Sequence, residues 1–67
     1  MNKFAKRLKE LREERNLYQK DLAKILGYSQ AGIAKWETGD REPSLDDLMR
    51  IADYFGVMTD YLLGRED

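Results

Sequence analysis

The 67-residue chain contains no cysteine and no histidine. Disulfide bonds are excluded, and a zinc site is not expected, because zinc draws most of its protein ligands from those two residue types. Nucleophile–base pairs and glycine-rich phosphate loops are also lacking, so the sequence predicts neither an enzyme nor a bound metal, cofactor or small molecule. Stability must come from packing in a domain close to the smallest size that folds alone.

Long apolar runs are also absent, and the first ten residues, MNKFAKRLKE, have no apolar stretch typical of a signal peptide. We therefore expect a cytoplasmic protein that does not enter a membrane. The formal net charge is −1, but it is unevenly distributed. Residues 1–41 carry ten Lys/Arg and six Asp/Glu, whereas residues 42–67 carry two and seven. The first part is suited to contact with nucleic acid, and the acidic part would face away from it.

Apolar periodicity and helix-end signals predict five helices, and therefore a single all-α domain over residues 1–67. The helices are expected at about residues 3–15, 19–26 and 30–37, between Ser44 and Gly56, and at 59–63. The only proline, Pro43, lies in a polar loop that no helix should cross. Ser44 and Asp47 have the spacing of a capping box at the start of the fourth helix.

Residues 19–38, QKDLAKILGYSQAGIAKWET, have the pattern of a helix-turn-helix. The segment has an apolar stripe, a helix-ending glycine, an N-cap for a second helix and a second apolar pair: in order, Leu22, Ala23 and Leu26; Gly27; Ser29; Ile33 and Trp36. The spacing of Trp36 from Ile33 favours core packing over a stacking platform for single-stranded nucleic acid.

The sequence resembles the lambda-repressor/Cro (XRE-type) helix-turn-helix family over nearly its whole length, from about Leu8 to Gly64. The residues that carry the resemblance are Leu8, Leu11, Arg12, Leu17, Gln19, Leu22, Ala23, Gly27, Ser29, Ile33, Trp36, Glu37, Gly39, Pro43, Ser44, Leu48, Ile51, Ala52, Gly56 and the DYLLG segment at 60–64.

The resemblance implies a compact five-helix domain that binds double-stranded operator DNA. It further implies a transcriptional regulator, most simply a repressor, that binds a near-palindromic operator as a homodimer. The same fold also occurs in antitoxins and in regulators that bind a protein partner, and the acidic C-terminal half would suit a basic partner. An antitoxin-type or protein-interaction module is therefore the alternative function.

Helix three is the expected recognition helix in the major groove. Gln30 can pair with adenine through both the oxygen and the nitrogen of its amide, Lys35 can reach guanine or a phosphate, and Ala31 can meet a thymine methyl group. In the alternative reading, Gln30 and Lys35 are ordinary solvated helix residues. Gly32 either allows a close approach of the helix backbone to DNA or has no role in binding, and in both cases DNA shape should contribute to specificity.

The resemblance also implies contacts with the DNA backbone. Gln19 would bind a phosphate and brace the recognition helix. Ser29 is both an N-cap and a candidate phosphate donor, and Arg41 is a candidate clamp on neighbouring phosphates. Arg12 and Glu37 match an ion pair that in the family joins helix one to the end of the recognition helix.

Two positions depart from the family pattern, which usually has Ser or Thr before the second and fifth helices. Tyr18 and Met58 stand there. We expect Tyr18 to donate its hydroxyl to a DNA phosphate and Met58 to join a self-association surface. The predicted homodimer contact consists of Tyr54, Met58, Tyr61 and Leu62. In the alternative reading, the apolar residues of this region belong to the core.

Overall fold

In the computed structural model, which describes residues 3–65, five helices follow one another and no strand occurs within that range. They are α1 (Phe4–Glu14), α2 (Gln19–Leu26), α3 (Gln30–Thr38), α4 (Leu45–Phe55) and α5 (Thr59–Leu62). The predicted all-α class and the five predicted helices are confirmed. No helix in residues 3–65 combines the length and apolar character needed to span a membrane.

All five helices meet in one core. Each supplies one side chain that is completely or almost completely shielded from solvent: Leu8, Leu22, Ile33, Ile51 and Leu62. Eight further buried apolar residues surround them: Phe4, Leu11, Ala23, Leu26, Trp36, Leu48, Ala52 and Phe55. Burial of each large aliphatic side chain contributes about 1.5–3 kcal/mol, so every helix is tied to the same core.

The helix ends follow the expected chemistry. Ser29 Oγ accepts a hydrogen bond from the Gly32 N–H at 3.0 Å and so caps α3. At the start of α4, Ser44 Oγ accepts from the Asp47 N–H at 3.1 Å while the Asp47 carboxylate accepts from the Ser44 N–H at 3.2 Å, which completes a capping box. Gly27 ends α2 at a φ of 81°, a conformation that glycine adopts without strain.

Trp36 belongs to the core, as its spacing predicts. It is 4% exposed, and its ring packs edge-to-face against Tyr28, with centroids 4.9 Å apart, and against Phe4, with centroids 6.3 Å apart. The indole Nε1 is buried without a hydrogen-bond acceptor among residues 3–65. Packing, not a hydrogen bond, therefore holds this side chain in place.

Arg7 of α1 and Arg15, the residue that follows α1, attach the C-terminal helices. The Arg7 guanidinium lies 4.2 Å from the centroid of the Tyr61 ring, and its Nη1 donates to the Tyr61 carbonyl at 2.9 Å. The Arg15 guanidinium lies 4.9 Å from the centroid of the Tyr54 ring. Tyr54 and Tyr61 are consequently half-buried, each with its ring against an arginine of its own chain.

The prediction that Leu62 contacts a second copy is wrong, because its side chain has no exposed surface and lies in the core. Helix α5 has only four residues, too few for apolar periodicity to show which of its side chains face inward. Met58, at the N-cap of α5, is 61% exposed and remains accessible.

Candidate nucleic-acid interface

Helices α2 and α3 are joined by a tight turn. The N–H groups of Gly27 and Tyr28 both donate to the Ala23 carbonyl at 2.8 Å, which closes the end of α2. Ala23 itself is 3% exposed, and its small side chain allows the two helices to approach closely. This packing places α3 with one side in the core and the other side outward.

The outward side of α3 carries three of the residues predicted to read DNA. Gln30, Ala31 and Lys35 are all exposed. The amide of Gln30 and the ammonium of Lys35 have no hydrogen-bond or ion-pair partner within residues 3–65, so both can bind an external group.

Thr38 shares this outward side, and the sequence analysis did not identify it. The helix extends one residue past Glu37, and Thr38 follows Lys35 by three positions and Ala31 by seven, so helical periodicity could have identified it. Its hydroxyl donates to the Lys35 carbonyl at 3.1 Å and accepts from the Asp40 N–H at 3.4 Å, so the hydroxyl is already engaged and the methyl group is the part left for an apolar contact.

Gly32 lies on a flank of α3, about 100° around the helix from Ala31. It lines a cleft of about 340 Å³ together with Ser29, Trp36, Arg41 and other residues of the α3–α4 loop and the start of α4. A Cβ atom at this position would lie 3.2 Å from Ser29 Oγ, which is a crowded contact. The structure therefore provides a local reason for glycine here, because a side chain would press on the hydroxyl that caps α3.

The start of α2 is brought beside the start of α3. Tyr18, Gln19 and Gln30 line one open depression of about 410 Å³, together with Arg12 and Lys20. The ring of Tyr18 is 72% exposed, and its side chain does not cap α2. The Asp21 carboxylate accepts from the Tyr18 N–H at 2.9 Å, so only one half of a capping box is formed.

A buried network fixes the far end of α3 against α1. Arg12 Nε donates to Glu37 Oε2 at 2.7 Å and Arg12 Nη2 donates to Glu37 Oε1 at 3.0 Å. Arg12 Nη1 donates to the Leu17 carbonyl at 2.7 Å. The hydrogen bond to Glu37 raises the pKa of Arg12, against the effect of burial, so the guanidinium stays charged.

Gln19 joins this network through its side chain, whose Nε2 donates to Glu37 Oε1 at 3.1 Å. The three polar side chains predicted to position the recognition helix, from α1, α2 and α3, are thus in direct contact. This hydrogen bond uses one N–H of Gln19 Nε2, so the second N–H of that nitrogen remains available to an external acceptor. The start of α2 borders the open depression.

Arg41 and Ser29 lie on the other flank of α3, beside the cleft that Gly32 lines. The Arg41 N–H donates to the Lys35 carbonyl at 3.3 Å, which holds the loop near the end of α3, and its guanidinium has no partner within residues 3–65. Ser29 Oγ accepts from Gly32, so its own hydroxyl proton remains available to an external acceptor. The candidate phosphate contacts therefore lie on both sides of α3.

Tyr28, in the turn before α3, is a positioning residue that the sequence analysis missed. Its hydroxyl donates to Asp47 Oδ1 at 2.8 Å, which links the helix-turn-helix to the first turn of α4. Burial and then this hydrogen bond raise the pKa of Tyr28. Burial alone would raise the pKa of Asp47, but the hydrogen bonds from Tyr28 and Ser44 outweigh it and lower that pKa.

Within residues 3–65 no cluster of acidic side chains is arranged to hold a metal ion. The surface described above offers groups for hydrogen bonding and for binding negative charge. Helix α3 carries an amide and an ammonium group, and the start of α2 carries a tyrosine and an amide. The flank of α3 beside the cleft carries a hydroxyl and a guanidinium.

Comparison with known proteins gives a consistent result. A helix-turn-helix family model matches residues 8–62. The chain is 36% identical over 64 residues to the HTH-type transcriptional regulator ImmR of Bacillus subtilis, covering 96% of this chain and 50% of ImmR. It is 43% identical over 61 residues to the uncharacterized HTH-type transcriptional regulator MJ0272 of Methanocaldococcus jannaschii, covering 91% of this chain and 92% of that protein.

Among solved structures, the P22 c2 repressor in complex with a synthetic operator superposes with a TM-score of 0.88 at 26% identity. The superposition covers 98% of this chain and all of that one. The chain spans half the length of ImmR.

Proposed function

Because this chain belongs to the Cro/C1-type (XRE) helix-turn-helix family, we propose that it is a sequence-specific DNA-binding transcriptional regulator that reads the major groove with α3. One observation supports this most directly. The Arg12–Glu37–Gln19 network holds α1, α2 and α3 together, while the side chains of Gln30 and Lys35 face outward with no hydrogen-bond or ion-pair partner in the described range 3–65.

Base reading is assigned to the outward side of α3. Gln30 lies at the first position of the helix, where side chains reach base edges, and its amide matches adenine N6 and N7. Ala31 offers a methyl contact to thymine. Lys35, one turn further along, donates to guanine or to a phosphate. With one amide, one ammonium and two methyl-sized contacts, the direct code is modest, and DNA shape supplies part of the specificity.

Phosphate contacts are assigned to the two flanks of α3. On one side Gln19 and the exposed Tyr18 hydroxyl lie at the start of α2, where the helix dipole favours an anion. On the other side Ser29 and Arg41 meet the neighbouring backbone. Such contacts position the protein on the duplex and make its affinity strongly dependent on salt.

The regulator binds as a homodimer to a near-palindrome and acts as a repressor. The small size of the domain and the resemblance to an operator-bound repressor support this proposal. The interface is formed around Met58, with the outer edges of Tyr54 and Tyr61. Replacing Met58 with serine removes the apolar contact and supplies an N-cap, so monomer stability should rise while the dimer weakens. Sedimentation of Met58→Ser and the wild type, free and on operator, measures this directly.

Selection from randomised duplexes tests the main proposal. The purified chain should enrich one near-palindromic motif, with half-sites about one helical turn apart. The Gln30→Ala/Lys35→Ala variant should lose that enrichment, because it removes the two long side chains from the reading side. Lys24→Ala is the matched control, since Lys24 is an exposed cation of α2 that lines neither the depression nor the cleft beside α3. It should enrich the same motif as the wild type.

Weak, strongly salt-dependent binding without any enriched motif would contradict sequence-specific recognition. Enrichment of the same motif by Gln30→Ala/Lys35→Ala would contradict the assignment of these residues while leaving DNA binding intact.

A further inference from the structure

We propose that the outer face of α4 is a docking surface for a basic, amphipathic segment of a partner protein. Two large apolar side chains lie on this face in contact with solvent: Leu45 is 79% exposed and Met49 is 56% exposed. They are four residues apart and therefore neighbours on the helix surface. Leu45 is the most exposed large hydrophobic residue within residues 3–65.

Acidic side chains border this apolar pair. Asp46 and Asp53 are both exposed, and they precede and follow Met49 by three and four positions, so they adjoin it on the helix surface. Neither carboxylate has a side-chain partner within residues 3–65. We name the four residues Leu45, Asp46, Met49 and Asp53 the α4 face.

The one basic residue of α4 does not neutralise this face. Arg50 is turned toward α2, where its Nη1 donates to the Leu26 carbonyl at 3.3 Å and its guanidinium lies 5.4 Å from the centroid of the Tyr28 ring. The α4 face therefore combines exposed apolar surface with uncompensated negative charge.

This combination determines which partner fits. DNA is excluded, because phosphates would meet the carboxylates. A two-fold contact with a second copy would place the same carboxylates against each other, so self-association through this face is disfavoured. A helix or extended segment that presents leucine-like side chains with lysine or arginine beside them satisfies both the apolar pair and the two carboxylates.

The test uses a synthetic amphipathic peptide of leucine and lysine, titrated into the full chain while backbone amide shifts are recorded. The shifts of residues 45–53 should move most. Leu45→Gln/Met49→Gln should weaken peptide binding at least about tenfold, which corresponds to ~1.4 kcal/mol. Asp46→Asn/Asp53→Asn should weaken it several-fold and reduce its dependence on salt. A peptide with glutamate in place of lysine should not bind.

Ile25→Gln is the matched control, since Ile25 is a half-exposed apolar residue of α2 outside the α4 face. It should leave peptide affinity unchanged, and every variant should keep the operator affinity of the wild type. Absence of peptide binding, equal loss in Ile25→Gln, or unchanged affinity in Asp46→Asn/Asp53→Asn would overturn the proposal. A lower oligomer mass in Leu45→Gln/Met49→Gln would overturn it too and assign the face to a second copy.

Discussion

Arg12 and Glu37 are joined side by side by two hydrogen bonds although 25 positions separate them in the sequence. Both side chains are more than nine-tenths buried, 9% and 4% exposed. The cost of removing two charges from water offsets much of their attraction, so the main effect of such a pair is geometric. It fixes the end of α3 against α1 and thus the angle at which the reading side is presented.

Removing one partner of this ion pair should lower the free energy of unfolding far more than replacing both partners with apolar residues. Arg12→Leu leaves the Glu37 carboxylate buried with only the Gln19 amide as partner, and we expect the free energy of unfolding to fall by about 3–5 kcal/mol. Arg12→Leu/Glu37→Leu leaves no uncompensated charge and should recover a large part of that loss. Urea unfolding of the three proteins measures both effects, and a double variant as unstable as the single one would contradict the argument.

The pKa values of Asp47 and Tyr28, which are hydrogen-bonded to each other, are shifted in the folded state, so the free energy of unfolding should depend on pH. Since the pKa of Asp47 is lowered in the folded state, its contribution is present above its ordinary value of 3.8 and is lost as the pH falls below it. The raised pKa of Tyr28 acts in the opposite direction, with stability present below its ordinary value of 10.0 and lost as the pH rises past it.

Tyr28→Phe removes one hydrogen bond to a carboxylate and should cost about 1.5–3 kcal/mol at neutral pH. It should also flatten the fall in stability on the acid side, because one of the groups that lower the pKa of Asp47 is gone. Thermal unfolding between about pH 2.5 and about pH 7, a range that spans the ordinary Asp47 pKa of 3.8, tests this. If the stability of Tyr28→Phe falls at acid pH as steeply as that of the wild type, other carboxylates determine the fall.

Tyr18 should be unfavourable for stability and favourable for binding. Tyr18→Thr supplies the missing cap oxygen at the start of α2 and should raise the free energy of unfolding by about 0.5–2 kcal/mol. The same change should weaken operator binding, because the exposed hydroxyl and ring are lost. Tyr18→Phe separates the two, since it keeps the ring and removes only the hydroxyl. Operator affinity equal to wild type in both variants would leave Tyr18 without a role in binding.

Gly32→Ala should stabilise the domain more when Ser29 is absent than when it is present. Alanine is favoured over glycine inside a helix by about 1 kcal/mol, but here the new Cβ would crowd Ser29 Oγ at 3.2 Å. We expect the full gain in a Ser29→Ala background and a smaller one in the wild type. The difference, measured as a double-mutant cycle by urea unfolding, is the coupling between the glycine and the cap. Equal gains in both backgrounds would show that the cap does not select glycine.

Arg41 should strengthen DNA binding and make the affinity more dependent on salt concentration. If its guanidinium neutralises one phosphate, Arg41→Ala lowers the slope of log affinity against log salt by about 1 and weakens all sequences alike. Lys24→Ala is the control of equal charge and should change the slope much less. A change in which base pairs are preferred would instead indicate that Arg41 reads sequence.

The sequence predicts the fold well because its signals are local. Apolar spacing, the serine caps and the helix-ending glycine at Gly27 each lie within a few residues of the feature that they determine. The prediction that failed, a contact of Leu62 with a second copy, concerns a place where distant parts of the chain meet. Leu62 is buried because a four-residue helix closes over α1, and Arg7 covers Tyr61 across 54 positions, which no periodicity reveals.

The candidate site likewise has features that local sequence signals predict and features that depend on contacts between distant residues. The outward placement of Gln30 and Lys35 follows from the helix period, whereas Tyr28 was missed because it lies in a turn, where spacing carries no information about a side chain's partner. The flank position of Gly32 also follows from the period, but the reason for glycine there required the position of the cap hydroxyl.

The side chains of Gln30 and Lys35 are exposed and have no hydrogen-bond or ion-pair partner within residues 3–65, whereas Glu37 on the same helix is held by two neighbouring helices. Substitutions at the two outward positions therefore escape the stability penalty that accompanies most changes in a small domain. On the proposed assignment of these two residues to base reading, changes in operator preference can accumulate at Gln30 and Lys35 with little cost in the free energy of unfolding.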